Sequence, residues 1–180
     1  MSFSSAKNSG GFSLLYAVLV VSILISVGLS MADIATRQIV LSSSGRDSQI
    51  AFYAADSGIE CALFWDLKNP SGQSAFSTST ASTISCNGQS IFTNSQTVPT
   101  NPTVSSLIGG GGEADPTSIF YIDFNLGSQP LAYCAIVTVN KSSNPVPGGS
   151  SILTKIESRG YNTCDVANPR RVERAIRVQY

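Results

Sequence analysis

Few residues in this sequence can do covalent chemistry, and their spacing limits what they can do. The cysteines are Cys61, Cys86, Cys134 and Cys164, and no two are close enough for a CxxC metal or redox motif. Outside the cytoplasm they would form two disulfides, with three connectivities open; in a cytosolic chain they would be buried thiols. The sequence has no histidine, which removes imidazole acid–base catalysis, His-ligated zinc and the Ser–His and Cys–His nucleophile pairs. The remaining carboxylates, serines and tyrosines form no catalytic constellation, so the expectation is no enzyme, no cofactor and no metal. Gly109–Gly112 lacks the GK[ST] continuation that a phosphate loop requires. Glu113, Asp115 and Asp123 match no EF-hand spacing. Lys and Arg total 11, as do Asp and Glu, so no electrostatic footprint for nucleic acid is present.

The elements that must position the cysteines lie downstream of an apolar N-terminal run. Residues 67–118 are rich in Ser, Thr, Asn, Pro and Gly and read as a solvated loop region. Within it, Asn87-Gly88 between Ile84 and Ile91 signals a tight hairpin. From residue 119 the pattern becomes β: IFYIDF at 119–124, LAYCAIVTV at 131–139, ILTKIESRGYN at 152–162 and RRVERAIRVQY at 170–180. Val172, Ile176, Val178 and Tyr180 alternate with charged or polar residues, giving one buried and one wet face. Arg170, Arg171, Arg174 and Arg177 read as that strand's solvated side, partly paired with Glu157 and Glu173. Cys134 opens one strand and Cys164 follows the strand that should pair with it, so Cys134–Cys164 is the preferred bridge. Cys61–Cys86 would then tie the end of a helix to the small hairpin.

That helix begins with FSLLYAVLVVSILISVGL, residues 12–29, and the first charge after Phe12 is Asp33. Eighteen helical residues span roughly 27 Å, close to the hydrocarbon thickness of a bilayer. The short polar segment before it carries only Lys7, which predicts a cytoplasmic N-terminal end and a C-terminal bulk outside. The helical pattern continues through IAFYAADSGIECALFWD at 50–66, with Ile50, Ala54, Ser57, Cys61 and Phe64 on one face. Ser42-Ser43-Ser44-Gly45 is its weak joint.

Gly11-Phe12, after a short polar leader and before a long apolar helix, resembles the processing site of type IV pilins and type II secretion pseudopilins. AFYAADSGIECAL is similar to the helix segment of a minor-pilin group, and IESRGYN with RRVERAIRVQY resembles the C-terminal hairpin of the same group. The resemblance implies that a prepilin peptidase cuts between Gly11 and Phe12 at the inner membrane, and that Phe12 becomes an N-methylated amino terminus. It also implies that Phe12, Leu14, Leu15, Tyr16, Val18 and Leu19 pack against other pilin subunits in a filament, after extraction by an assembly platform and its ATPase. Cutting would remove Lys7 and leave the mature chain with one more acid than base. Tyr16 stands where major pilins carry a glutamate. That departure points to a minor, tip or priming subunit; the competing reading is an interfacial aromatic in a plain membrane anchor.

The expected fold is therefore α+β and pilin-like: a long N-terminal helix, membrane-spanning in its first half, packed on a C-terminal antiparallel sheet. Its segments are a leader at 1–11, a filament-core half-helix at 12–30, an amphipathic half at 31–66, a loop region with a small hairpin at 67–118, and a sheet at 119–180. The expected role is a single-pass membrane protein that becomes a minor subunit of a cell-surface filament. The alternative is a membrane-tethered or secreted extracellular binding domain. A surface or DNA ligand stays open.

Overall fold

A computed structural model describes residues 10–68, 70, 72–77, 83–94, 96–98, 101–109, 117–124, 133–146 and 149–180. Of the expected leader, residues 1–9 lie outside the described residues, as do Glu113 and Asp115. The sequence has no proline before Pro70, and one helix, α1, runs Gly10–Leu67 through the Ser42–Gly45 joint. The chain divides into two compact units at that joint, Met1–Ser44 and Gly45–Tyr180.

In the first unit the helix carries its apolar side chains outward: Leu14, Leu15, Tyr16, Val18 and Leu19 are all exposed. Its hydroxyls turn inward along the backbone. Ser22 Oγ donates to the Leu19 carbonyl and Ser26 Oγ to the Ile23 carbonyl, both at 2.8 Å. Those internal bonds remove the penalty that an unpaired hydroxyl meets in an apolar surrounding.

The second unit is the α+β body. Four strands form an antiparallel meander in the order β5 (Thr117–Phe124), β6 (Tyr133–Val146), β7 (Gly149–Tyr161) and β8 (Glu173–Gln179). One sheet face carries Phe120, Ile122, Ala135, Val137, Val139 and Ile156 into the core, against residues 51–62 of α1. The other face carries Tyr121, Cys134, Ile136 and Tyr161 in a second, smaller cluster. The period-2 alternation of strand side chains produces both faces from one stretch of chain.

The described stretches of residues 67–118 do more than connect. Asn87 and Gly88, at φ 51° and 74°, turn β1 (Ile84–Cys86) into β2 (Gln89–Ile91). Positive φ at both central residues is what a type I′ hairpin turn requires. A further ladder joins β3 (Thr97–Val98) to β4 (Asn101–Ser105), where the sequence reads as loop. Phe76, Ile84, Ile91 and Ile108 enter the main core, and the Phe76 ring stacks on Phe120 with centroids 5.9 Å apart. A few apolar residues in a polar background are enough to dock the segment, so the expectation of a solvated connector is corrected.

Candidate functional site

Two surfaces of α1 set what the molecule can do. On the first unit, residues 12–32 carry no charge, and Asp33 and Arg37 then pair at 3.0 Å along the exposed helix. The expected packing residues lie on this uncovered surface, with Phe12 81% exposed and Gly11 in the first turn of the helix. The helix is long and apolar enough to cross a membrane, and none of its most apolar window is buried within the protein.

On the second unit the buried face of α1 is one of small residues. Ala51, Ala54, Ala55, Ile59 and Ala62 are buried, whereas Phe64 is 48% exposed and Ile50 and Ser57 sit at the margin. The stripe expected through Ile50, Ser57 and Phe64 is thus rotated by about one position, and the reason lies across the interface. A Cβ on Gly160 of β7 would lie 2.1 Å from the Ala51 carbonyl oxygen and 2.3 Å from the Ala55 nitrogen. A Cβ on Gly58 would lie 2.9 Å from Val137 Cγ2. Helix and sheet meet backbone to backbone there, and large side chains are excluded from the seam.

The C-terminal end of α1 is fixed at two points. Cys61 and Cys86 form a disulfide that joins the helix to β1. Trp65 Nε1 donates to the Ser85 carbonyl at 2.9 Å beside it. The next residue, Asp66, enters a buried polar node that sequence reasoning missed. Lys141 Nζ on β6 lies 2.7 Å from Asp66 Oδ1 and donates to Thr154 Oγ1 on β7 at 3.0 Å. Tyr180 Oη donates to Asp66 Oδ2 at 2.6 Å, and Ser74 Oγ donates to Oδ1. Burial pushes the Asp66 carboxyl up, but the bonds from Lys141, Ser74 and Tyr180 outweigh it and hold the group below its ordinary value. Tyr180 is pushed up in turn, by burial and by the carboxylate it serves. The only advance signal was a lone lysine in an otherwise uncharged strand pattern.

Of the arginines expected on the last strand, Arg174 and Arg177 lie on β8, whereas Arg170 and Arg171 precede it. Arg177 lies 2.7 Å and Arg159 2.8 Å from Glu157. Arg170 reaches Asp47 of α1 at 3.5 Å, and Arg174 donates to Ser48 Oγ at 2.8 Å. Arg171 lies over the Tyr161 ring, 3.7 Å from its centroid. Ile176 and Val178 pack half-buried on the core, as their alternation predicts, while Tyr180 is 41% exposed.

No family model, curated protein or solved structure matches this chain. Its chemistry is therefore read from its own residues. The second cysteine pair sits on the outer sheet face: β6 places Cys134 opposite Tyr161 of β7, and Cys164 follows three residues later. Both are thiols in this structure, not the bridge that the strand pairing predicts. Asp123 lies opposite Cys134 on β5, with its carboxyl raised by burial. Among the described residues no group of three or more His, Cys, Asp or Glu could hold a metal ion.

Proposed function

We propose that the protein is a minor structural subunit of a type IV pilus or related filament. The observation that carries this reading is the contrast within α1. Residues 12–32 present large apolar side chains with no charge and no intramolecular cover, while the same helix ends in a small-residue seam under an α+β body. A surface of that kind suits lipid first and other apolar helices afterwards. Gly11-Phe12 at the head of the run supports proteolytic maturation at that bond by a prepilin peptidase, with methylation of the new amine. Tyr16, which offers no carboxylate to a neighbouring amino terminus, supports a minor position over the bulk one. The Cys61–Cys86 bond supports an exported body.

The test is the mass and N-terminal sequence of the mature protein from membranes of cells that express a prepilin peptidase. A chain starting at N-methylated Phe12 is the expected result, and Gly11→Val should leave the leader attached. A chain starting at Met1 or Met31 in such cells would end the filament reading and favour a tethered or secreted domain. Subunit-specific labelling of purified filaments then checks the minor position, since a label count equal to that of the main subunit would overturn it.

A further inference from the structure

The seam between α1 and β7 is closed where Gly160 meets Ala51 and Ala55, and it opens one turn earlier along the helix. There a cleft of about 200 Å³ lies between three elements. Arg46, Asp47 and Ile50 line it from α1, Tyr133 from the start of β6, and Asn168 and Arg170 from the turn that joins β7 to β8. We propose that this cleft binds an acidic sugar, one ring carrying one carboxylate.

The charge of the ligand follows from the charges of the wall. Arg46 and Arg170 bring two guanidiniums and Asp47 one carboxylate, so one positive charge is left over. Asp47 is the inner group: its side chain is 15% exposed, and it holds Arg170 at 3.5 Å while that side chain stays 69% exposed. Arg46 is exposed and, among the described residues, has no ion-pair partner. A guanidinium presents paired N–H donors that match a carboxylate. A monoanion balances the excess, whereas a dianion would leave negative charge uncompensated beside Asp47.

The ring follows from the rest of the wall. The turn is fixed by its own side chains: Asn162 Nδ2 donates to the Arg170 carbonyl at 3.2 Å, and Asn162 Oδ1 accepts from the Val172 N–H at 2.7 Å. Asn168 Oδ1 accepts from the Arg170 N–H at 2.9 Å, which leaves the Asn168 amide N–H groups as donors on the cleft wall. A wall already ordered lowers the cost of binding. Tyr133 stacks on Phe124, with centroids 5.2 Å apart, and Ile50 is half-buried, so the cleft has an apolar side as well as donors. A sugar ring has the same division, with apolar C–H faces and hydroxyl edges. Pockets for drug-sized ligands start at about 300 Å³, so this smaller cleft takes one ring and not a chain. The site is independent of the filament reading, because a tethered or secreted body would present the same cleft.

Full-length protein in detergent is titrated at fixed ionic strength with glucuronate, glucose, acetate and inorganic phosphate, and the amide NMR shifts of Asn168 and Arg170 are followed. Glucuronate should shift both amides saturably, and the other three should bind at least about tenfold more weakly. Arg46→Ala removes an exposed guanidinium and breaks no ion pair, and it should weaken glucuronate at least about tenfold. Asn168→Asp keeps the acceptor for the Arg170 N–H but adds a repelling charge, and it should weaken glucuronate by as much. No saturable shift with glucuronate up to its solubility limit would overturn the site. Binding unchanged by both substitutions would overturn its location. Acetate as tight as glucuronate would overturn the sugar and favour an acidic protein side chain. Phosphate as tight would overturn the monoanion, and glucose as tight would overturn the role of charge.

Discussion

The two units of α1 use the same backbone for opposite purposes. Before the serine-rich joint, Leu, Val and Ile point outward with no cover, and Gly28 has open space around it. After the joint, Ala and Gly point inward, and Gly58 and Gly160 leave no room for a methyl group. Large apolar residues mark a surface that the described chain leaves uncovered, and small ones mark a contact already made within it. A helix therefore need not bury its most hydrophobic stretch, and residue size tells which half of this one is occupied.

The largest test of the occupied half is the buried node. Lys141→Met should cost about 3–5 kcal/mol, because Asp66 would stay buried with its charge uncompensated. Pairing it with Asp66→Leu should recover much of that loss in urea denaturation, since apolar replacement of a buried pair is often close to neutral. A double variant as unstable as the single one would assign the cost to lost packing instead.

The next test puts one substitution in both units. Gly160→Ala forces a methyl group into the α1 backbone and should cost about 1–3 kcal/mol by overpacking. Gly28→Ala meets nothing within 4 Å and should leave the denaturation midpoint of the second unit unchanged. Equal effects at the two glycines would erase the distinction between an uncovered surface and a made contact.

Much of this contrast was legible in the sequence, and the rest was hidden for physical reasons. The apolar run, the amphipathic second half, the Asn87-Gly88 turn and the four-strand pattern all rest on local periodicity or turn chemistry, which a single segment displays by itself. The rotation of the buried stripe away from Phe64 was not readable, because it depends on Gly160, a residue about a hundred positions away that lets the backbones approach. The core roles of Phe76 and Ile108 were masked by a polar composition that averages over the few residues that matter. The Asp66 node was missed because its members come from a helix end, a loop, two strands and the residue that follows β8, and only the tertiary fold brings them together.

A smaller effect should appear on acidification. The folded-state carboxyls of Asp66 and Glu157 lie below their ordinary values of 3.8 and 4.5. Each contributes stability that is full above its ordinary value and is lost as pH falls through its depressed one. Asp123, raised by burial, has the opposite sign and offsets part of that loss. Urea midpoints should therefore hold between pH 7 and pH 5 and decline below about pH 4. A Lys141→Met, Asp66→Leu chain should show a shallower decline, and an unchanged one would remove Asp66 from the account.

The smallest effect separates two ion pairs that bond length alone would equate. Lys141–Asp66 and Arg177–Glu157 both stand at 2.7 Å, yet the side chains are 11% and 3% exposed in the first and 60% and 20% in the second. Water screens the surface pair and already solvates both partners, so Glu157→Gln should cost only about 0–1 kcal/mol. That cost should shrink further in high salt, because exposed charges are screened while buried ones are not. Arg159 lies 4.0 Å from Glu173, which gives one of the two released guanidiniums a second carboxylate and lowers the expected loss again. A cost near that of Lys141→Met, unmoved by salt, would mean that the outer face is covered in the folded protein. In that case the arginine strand, and not only the small-residue seam, would count as a contact already made.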